Sequence, residues 1–198
     1  MSALNEVKSH LRPGQVYRRS DLEKWSKAVD RHVHQLLDEG QLTKLAGGLY
    51  YAPKQTAFGE APADAAALVQ AFLKDHRFLL TSPNVYNSLG VGTTQLYNET
   101  VVYNHKRHGR FRLGGRVFDF RMKPYFPLEA SREFLMVDLV NNLTRLAEDT
   151  EKVLSHVKEQ ALQMDRLALR HAVDNYGGAR AKKFFADVLD GGTLGHAA

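Results

Sequence analysis

The chain has 198 residues, 43% hydrophobic, 25% charged and 10% aromatic, which is enough for one large domain or two small ones with a buried core. It has no cysteine, which excludes a disulfide, a thiolate zinc site, an iron–sulfur cluster and a cysteine nucleophile. The net charge of +5 is uneven: 8 Lys and Arg face 6 Asp and Glu in 1–53, 3 face 4 in 54–100, 7 face 1 in 101–128, and 9 face 11 in 129–198, a pattern that suggests a polyanion partner. The first 30 residues carry charge throughout, and no apolar window of about 18 residues occurs, so neither a secretion signal nor a membrane span is expected and a cytoplasmic protein is.

Residues 2–11 place Leu4, Val7 and Leu11 at helical spacing behind Ser2, an N-cap type, and Pro13-Gly14 stops the run. A short extended stretch, Val16-Tyr17, follows. Ser20 is expected to cap a second, short helix with Asp21 and Glu23 in its first turn, where the helix dipole favours acid, ending near Trp25. Ser26 is expected to cap a third helix, in which Val29, Val33, Leu36 and Leu37 form one apolar stripe closed by Gly40. Two short apolar runs then flank Gly47-Gly48, the chemistry of a tight hairpin turn, and Pro53 ends the second run. Three helices and a hairpin in this order predict a winged helix-turn-helix over 1–53, whose third helix enters the major groove while the hairpin touches the backbone.

Opposite the apolar stripe of the third helix lie Lys27, Arg31, His34, Gln35 and Asp38, and all but Asp38 are able to donate to bases or phosphates. Arg18 and Arg19 before the second helix, Ser26 at the start of the third, and Lys44 on the hairpin complete the candidate DNA contacts. The alternative for each is a solvated helix face, and Asp30 and Asp38 would repel a nearby phosphate.

The run from Gly14 to Pro53, and above all the string LAGGLYYAP that ends it, resembles the N-terminal winged-helix domain of the AbiEi-type antitoxins of type IV toxin–antitoxin (abortive infection) pairs. Gly14 with an apolar residue two on, the Asp21-Leu22 pair and the Leu36-Leu37 pair before Gly40 belong to the same resemblance, which is densest over the first quarter of the chain. It implies a DNA-binding repressor acting on inverted repeats at its own operon's promoter, paired with a nucleotidyltransferase-like toxin.

Residues 54–64, rich in Ala, Gly and Pro, read as a linker, and 65–198 as a C-terminal domain of a small antiparallel sheet packed with helices. The run ADAAALVQAFLKDHR, residues 63–77, is expected to be a helix with Ala66, Val69 and Leu73 on one side and Ala65, Leu68 and Phe72 extending the stripe, and Ser82-Pro83 opens a short helix that Gly90 closes, in a segment that resembles the one following the linker in many AbiEi-type antitoxins. Residues 99–123 predict two or three antiparallel strands with a turn at Gly114-Gly115, and Arg110 and Arg112 on the face opposite Phe111 and Leu113. Lys106, Arg107, Arg110, Arg112 and Arg116, with Arg121 and Lys123 beyond them, make this a candidate second nucleic-acid surface; the alternatives are a cationic edge that blocks strand pairing and a patch docked on the acidic C-terminal third. From Ser131 to 190 the pattern is helical, similar in order to the end of the AbiEi-type C-terminal domain, the part that the resemblance associates with neutralising the toxin, and the last residues are expected to fray.

Enzyme chemistry finds little support. His105 and His108 have metal-ligand spacing but stand around Lys106 and Arg107 with no carboxylate, and His32 and His34 point to different sides of a helix. Asp119 and Lys123 lack the acidic residue two before the lysine that a two-metal nuclease needs, because Arg121 stands there. No phosphate-binding loop, zinc-protease helix or nucleophile elbow is present. The expectation is an α+β protein that is not an enzyme, needs no cofactor or metal and binds double-stranded DNA; the rivals are a protein-interaction module or stand-alone regulator with a degenerate winged helix and, more remotely, a nucleic-acid-processing enzyme.

Overall fold

Ser2 Oγ accepts the Asn5 N–H at 3.3 Å and starts α1 (Ala3–His10), the first element of a computed structural model that describes residues 2–190. The strand β1 (Val16–Arg18) leads into α2 (Arg19–Leu22), whose N-cap is Arg18 rather than Ser20. The helix begins two residues earlier than the cap preference suggested, so Ser20 falls inside the first turn, and Asp21 reaches back to accept the Arg18 N–H at 3.0 Å. Helix α3 (Val29–Asp38) buries Val29, His32, Val33 and Leu36 and gives way to Gly40, at φ 68°. Strands β2 (Thr43–Ala46) and β3 (Leu49–Tyr51) form a hairpin through Gly47-Gly48, with Gly48 at φ 69°, and β1 joins the other edge of β3 to give the antiparallel order β1-β3-β2. Val7, Tyr17, Leu22, Val29, Val33, Leu36 and Leu42 close the core between these helices and the sheet.

The stretch 54–64, expected as a linker, is largely a hairpin: β4 (Lys54–Thr56) pairs with β5 (Gly59–Ala61), and the Tyr51 hydroxyl donates to Ala61 O at 2.7 Å. Its small residues serve a tight turn at Gly59 rather than a free tether. Asp64 then caps α4 (Ala65–Leu73), accepting the Ala67 N–H at 2.9 Å. A strand that the sequence pattern did not reveal, β6 (Phe78–Thr81), pairs antiparallel with β7 (Thr100–Asn104), in register from Phe78 opposite Asn104 to Thr81 opposite Val101. Between them, Ser82 opens a 3₁₀ turn over Pro83–Leu89 that Gly90 closes, as expected. The hairpin of β8 (Gly109–Leu113) and β9 (Arg116–Met122) turns at Gly114-Gly115. The C-terminal helices are α5 (Arg132–Asn142), α6 (Thr150–Ala161), α7 (Arg166–Tyr176) and α8 (Ala179–Asp190), the first three begun by Ser131, Asp149 and Asp165 as side-chain caps.

The chain forms two compact units: Met1–His76 with Lys106–Phe120, and Arg77–His105 with Arg121–Ala198. The first is therefore discontinuous in sequence, and the β8–β9 hairpin as far as Phe120 belongs to it rather than to a C-terminal domain starting at residue 65. In the second, α5 packs against α7 and α8 around Val137, Leu139, Val140, Val157, Leu169 and Phe185. The last segment, 191–198, expected to fray, lies outside the described residues. Among the described residues no helix is long and apolar enough to cross a membrane.

Candidate nucleic-acid interface

Helix α3 sets its outward face by burying the other. With Val29, His32, Val33 and Leu36 inside, the 100° step leaves Arg31, His34, Gln35 and Asp38 exposed on the helix, with Lys27 exposed just before it. Gln35 is tied to its own helix, its amide donating to Glu39 Oε1 at 3.1 Å. Lys44, on the exposed part of β2, stands opposite Tyr50 in the hairpin.

Ser26 is not available for a DNA contact and is not the N-cap of α3, which is Ala28. Only 4% exposed, its hydroxyl accepts the Ala28 N–H at 3.0 Å and shares a 2.7 Å hydrogen bond with His32 Nδ1, itself on the buried side of α3. Arg31 Nη2 lies 3.5 Å from His32 Nε2, on the other side of the ring. The Ser26–His32 pair fixes the entry into α3. Trp25, beside it in sequence, stacks on His10 with ring centroids 4.4 Å apart and so ties α1 to the same corner.

Arg18 and Arg19 have ion-pair partners within the unit. Arg18 donates Nε and Nη2 to Asp21 at 3.3 and 3.2 Å. Partial burial pushes the Asp21 carboxyl up, but the bonds from the Arg18 N–H and guanidinium outweigh it and hold the group below its ordinary value. Arg19 spans α2 and α3, with Nε and Nη2 each 2.7 Å from Asp30 and Nη1 3.2 Å from Glu23. The Arg19 guanidinium holds the Asp30 carboxyl below the usual carboxylate range.

The cations of the β8–β9 hairpin divide by task. Lys106 Nζ lies 3.1 Å from Asp75 and donates to the carbonyls of Lys74 and Leu73 at 3.0 and 3.4 Å, closing the C-terminal end of α4. Arg107 lies over the Phe72 ring at 5.6 Å, and Arg116 lies over Phe118 at 5.6 Å while donating to Ala63 O. Arg110 and Arg112 are exposed, whereas Leu113, Phe118 and Phe120 are buried, so the expected alternation holds. Arg121 and Lys123 belong to the second unit and turn inward there.

That second unit holds a polar cluster that sequence reasoning missed. Asp138, fully buried on α5, accepts from the Tyr86 hydroxyl at 2.8 Å, the Tyr103 hydroxyl at 2.9 Å and Lys123 Nζ at 3.1 Å. Asn142, one turn on, donates to both tyrosine oxygens and to Asp138 O, and accepts from Arg121 at 3.1 Å. Burial, reinforced by the Asp138 charge, pushes both phenols above their ordinary range. A cavity of about 30 Å³ beside them, lined in part by Tyr97, Glu99 and Arg145, has room for one water molecule. The one signal in sequence was an aspartate inside the apolar run Phe134–Val140. Among the described residues no three His, Asp or Glu side chains are grouped to hold a metal ion.

No protein-family model and no curated protein matches the chain. The structure is similar to the crystal structure of the RV2827C protein from Mycobacterium tuberculosis, with a TM-score of 0.55 and 14% sequence identity, covering 96% of this chain and 75% of that one. At this identity the likeness concerns the fold.

Proposed function

We propose that the N-terminal unit is a winged helix-turn-helix that binds duplex DNA, with α3 in the major groove and Lys44 of the β2–β3 hairpin on the backbone. The observation that carries this reading is the outward face of α3: Arg31, His34 and Gln35 stand exposed over a fully buried stripe, with Lys27 at the helix start. The sheet order β1-β3-β2, with β2 and its Lys44 at the far edge, supports it. The resemblance to AbiEi-type antitoxins extends the proposal to a cytoplasmic repressor of its own promoter, binding inverted repeats and paired with a nucleotidyltransferase-like toxin.

For the second unit a protein partner is the better reading. Its 12 Lys and Arg balance 12 Asp and Glu, so no excess charge draws it to a polyanion, and it exposes Leu162 and Leu167 at 62% and 79% around the start of α7.

The test is a titration of the full chain against DNA from upstream of its own gene and against a random duplex of equal length, at two salt concentrations. A preference of about 10³ or more with a steep salt slope is the expected result. Equal, weak binding to both duplexes overturns the repressor reading.

A further inference from the structure

The N-terminal unit draws almost all of its excess charge from a segment remote in sequence. Residues 1–76 carry 10 Lys and Arg against 9 Asp and Glu, and adding 106–120 brings the unit to 15 against 10, the whole of the chain's +5. The electrostatic case for DNA therefore rests less on the first three helices than on the β8–β9 hairpin.

The hairpin is built into the unit rather than draped on it. Gly114 N–H donates to Leu45 O at 3.0 Å, joining the hairpin turn to β2, the strand that carries Lys44. A Cβ on Gly114 would stand 3.2 Å from Leu45 Cδ2 and 3.5 Å from Leu68 Cδ1, and its φ of 55° is in the left-handed region, so the turn needs glycine on two counts. Phe72 of α4 meets Phe111 and Phe120 at 5.0 and 5.1 Å between ring centroids. With Lys106, Arg107 and Arg116 engaged as described, the hairpin is held at its entry, along its inner face and at its turn.

The outer face carries the other two arginines. Arg110 and Arg112 project from it, with Asp119 and Val117 directly opposite on β9. They stand two residues apart, about 7 Å along the strand, and Arg112 is again about 7 Å along the chain from the Gly114 junction with β2. We propose that this face is a second DNA-contacting arm: a basic ribbon that continues the β2–β3 hairpin and takes duplex phosphates beyond those reached by Lys44. The inference rests on the DNA-binding reading of the same unit. It assigns the arm to backbone contact, because Arg112 holds Gly115 O at 3.2 Å and is oriented along the turn rather than extended toward base edges.

Two experiments on the full chain decide it. In the first, Arg110→Ser with Arg112→Ser is titrated against own-upstream and random duplexes over a salt series. Loss of two phosphate contacts lowers the slope of log K against log salt by about 1.8 on both duplexes. Should the double variant melt early, Arg110→Lys with Arg112→Lys keeps the charge and must keep the slope. The second uses the absence of native cysteine: Val117→Cys or Lys44→Cys carries an iron chelate that cleaves nearby DNA. Cuts from position 117 flanking those from position 44 are expected. A slope unchanged by the serine pair, or cuts from 44 without cuts from 117, overturns the arm while leaving the DNA reading intact. Transfer of the serine pair's effect to binding of a protein, with DNA binding unchanged, also overturns it. A wild-type chain that shows neither duplex preference nor salt dependence overturns the DNA reading itself, and the arm with it.

Discussion

The Arg19 guanidinium grips the Asp30 carboxylate through two parallel bonds of 2.7 Å, so the exposed acid in the first turn of α3 is paired with a cation from α2. The repulsion that Asp30 alone would exert on a phosphate is thereby largely cancelled, at the cost of occupying Arg19. Asp30→Asn should strengthen DNA binding, more at low salt than at high, because it removes a negative charge and releases Arg19. Arg19→Ala should weaken it, leaving Asp30 unpaired at the interface. Fluorescence anisotropy at two ionic strengths reads both, and weaker binding by Asp30→Asn would place this corner of α3 away from DNA.

Arg31 is an exposed guanidinium on the outward face of α3. Arg31→Ala should cost about 1–3 kcal/mol on the specific duplex if its guanidinium takes a base edge in bidentate fashion, with little change on random DNA. Equal losses on both duplexes would assign it to phosphate.

A chain cut after residue 64 or 76 should not reproduce the first unit. It lacks Leu113, Phe118 and Phe120, each at most 1% exposed in the whole protein, and each worth about 1.5–3 kcal/mol of burial. Thermal melts and hydrogen exchange should show a broad, weakly protected fragment, whereas loss of the last eight residues alone should leave α1–α3 protected.

Much of this fold was legible in the chain because the responsible signals are local. The stripe Val29, Val33, Leu36 and the Gly47-Gly48 turn announce α3 and its hairpin without help from distant residues. Ser26 misled for the opposite reason: its cap-type side chain is taken by His32, six residues on, a choice that only packing decides. The run Phe78–Thr81 gave too few residues to show alternation, and 54–64 looked like a tether because a hairpin made of small residues and a tether share a composition. For the interface, the outward side of α3 was readable by angle alone, but the membership of 106–120 in the first unit depends on contacts across more than thirty residues, such as Lys106 with Leu73. Asp138 was hidden among apolar neighbours, since nothing in a linear string shows two tyrosines converging on it.

Asp138→Ala should destabilise the second unit by about 3–5 kcal/mol, since Lys123 and two phenols lose the buried carboxylate that accepts from them. Denaturant unfolding followed by tyrosine fluorescence measures this. Asp138→Asn, which keeps the shape and part of the bonding, should cost less.

The two buried phenols also set an alkaline limit. Tyr86 and Tyr103 have folded pKa values raised above the ordinary value near 10, so the stability they confer is complete below pH 10 and is lost as pH rises past it, where the unfolded chain ionises and the folded one resists. A phenolate absorbance titration should show fewer than the eight tyrosines ionising near pH 10, with Tyr86 and Tyr103 appearing only as the unit unfolds. Ionisation of all eight together below the unfolding pH would contradict the cluster.

The discontinuity of the first unit bears on its birth as well as its stability. A ribosome releases the three N-terminal helices long before Phe120, yet Phe72 and Leu45 find their partners only once the β8–β9 hairpin has emerged. At about 5–20 residues per second, the nascent chain therefore spends several seconds with an apolar seam uncovered and its principal cationic ribbon unmade. DNA binding of the proposed kind is in this way deferred until β6, β7 and the hairpin have all been translated, so that a message broken off early yields a fragment with little electrostatic hold on nucleic acid.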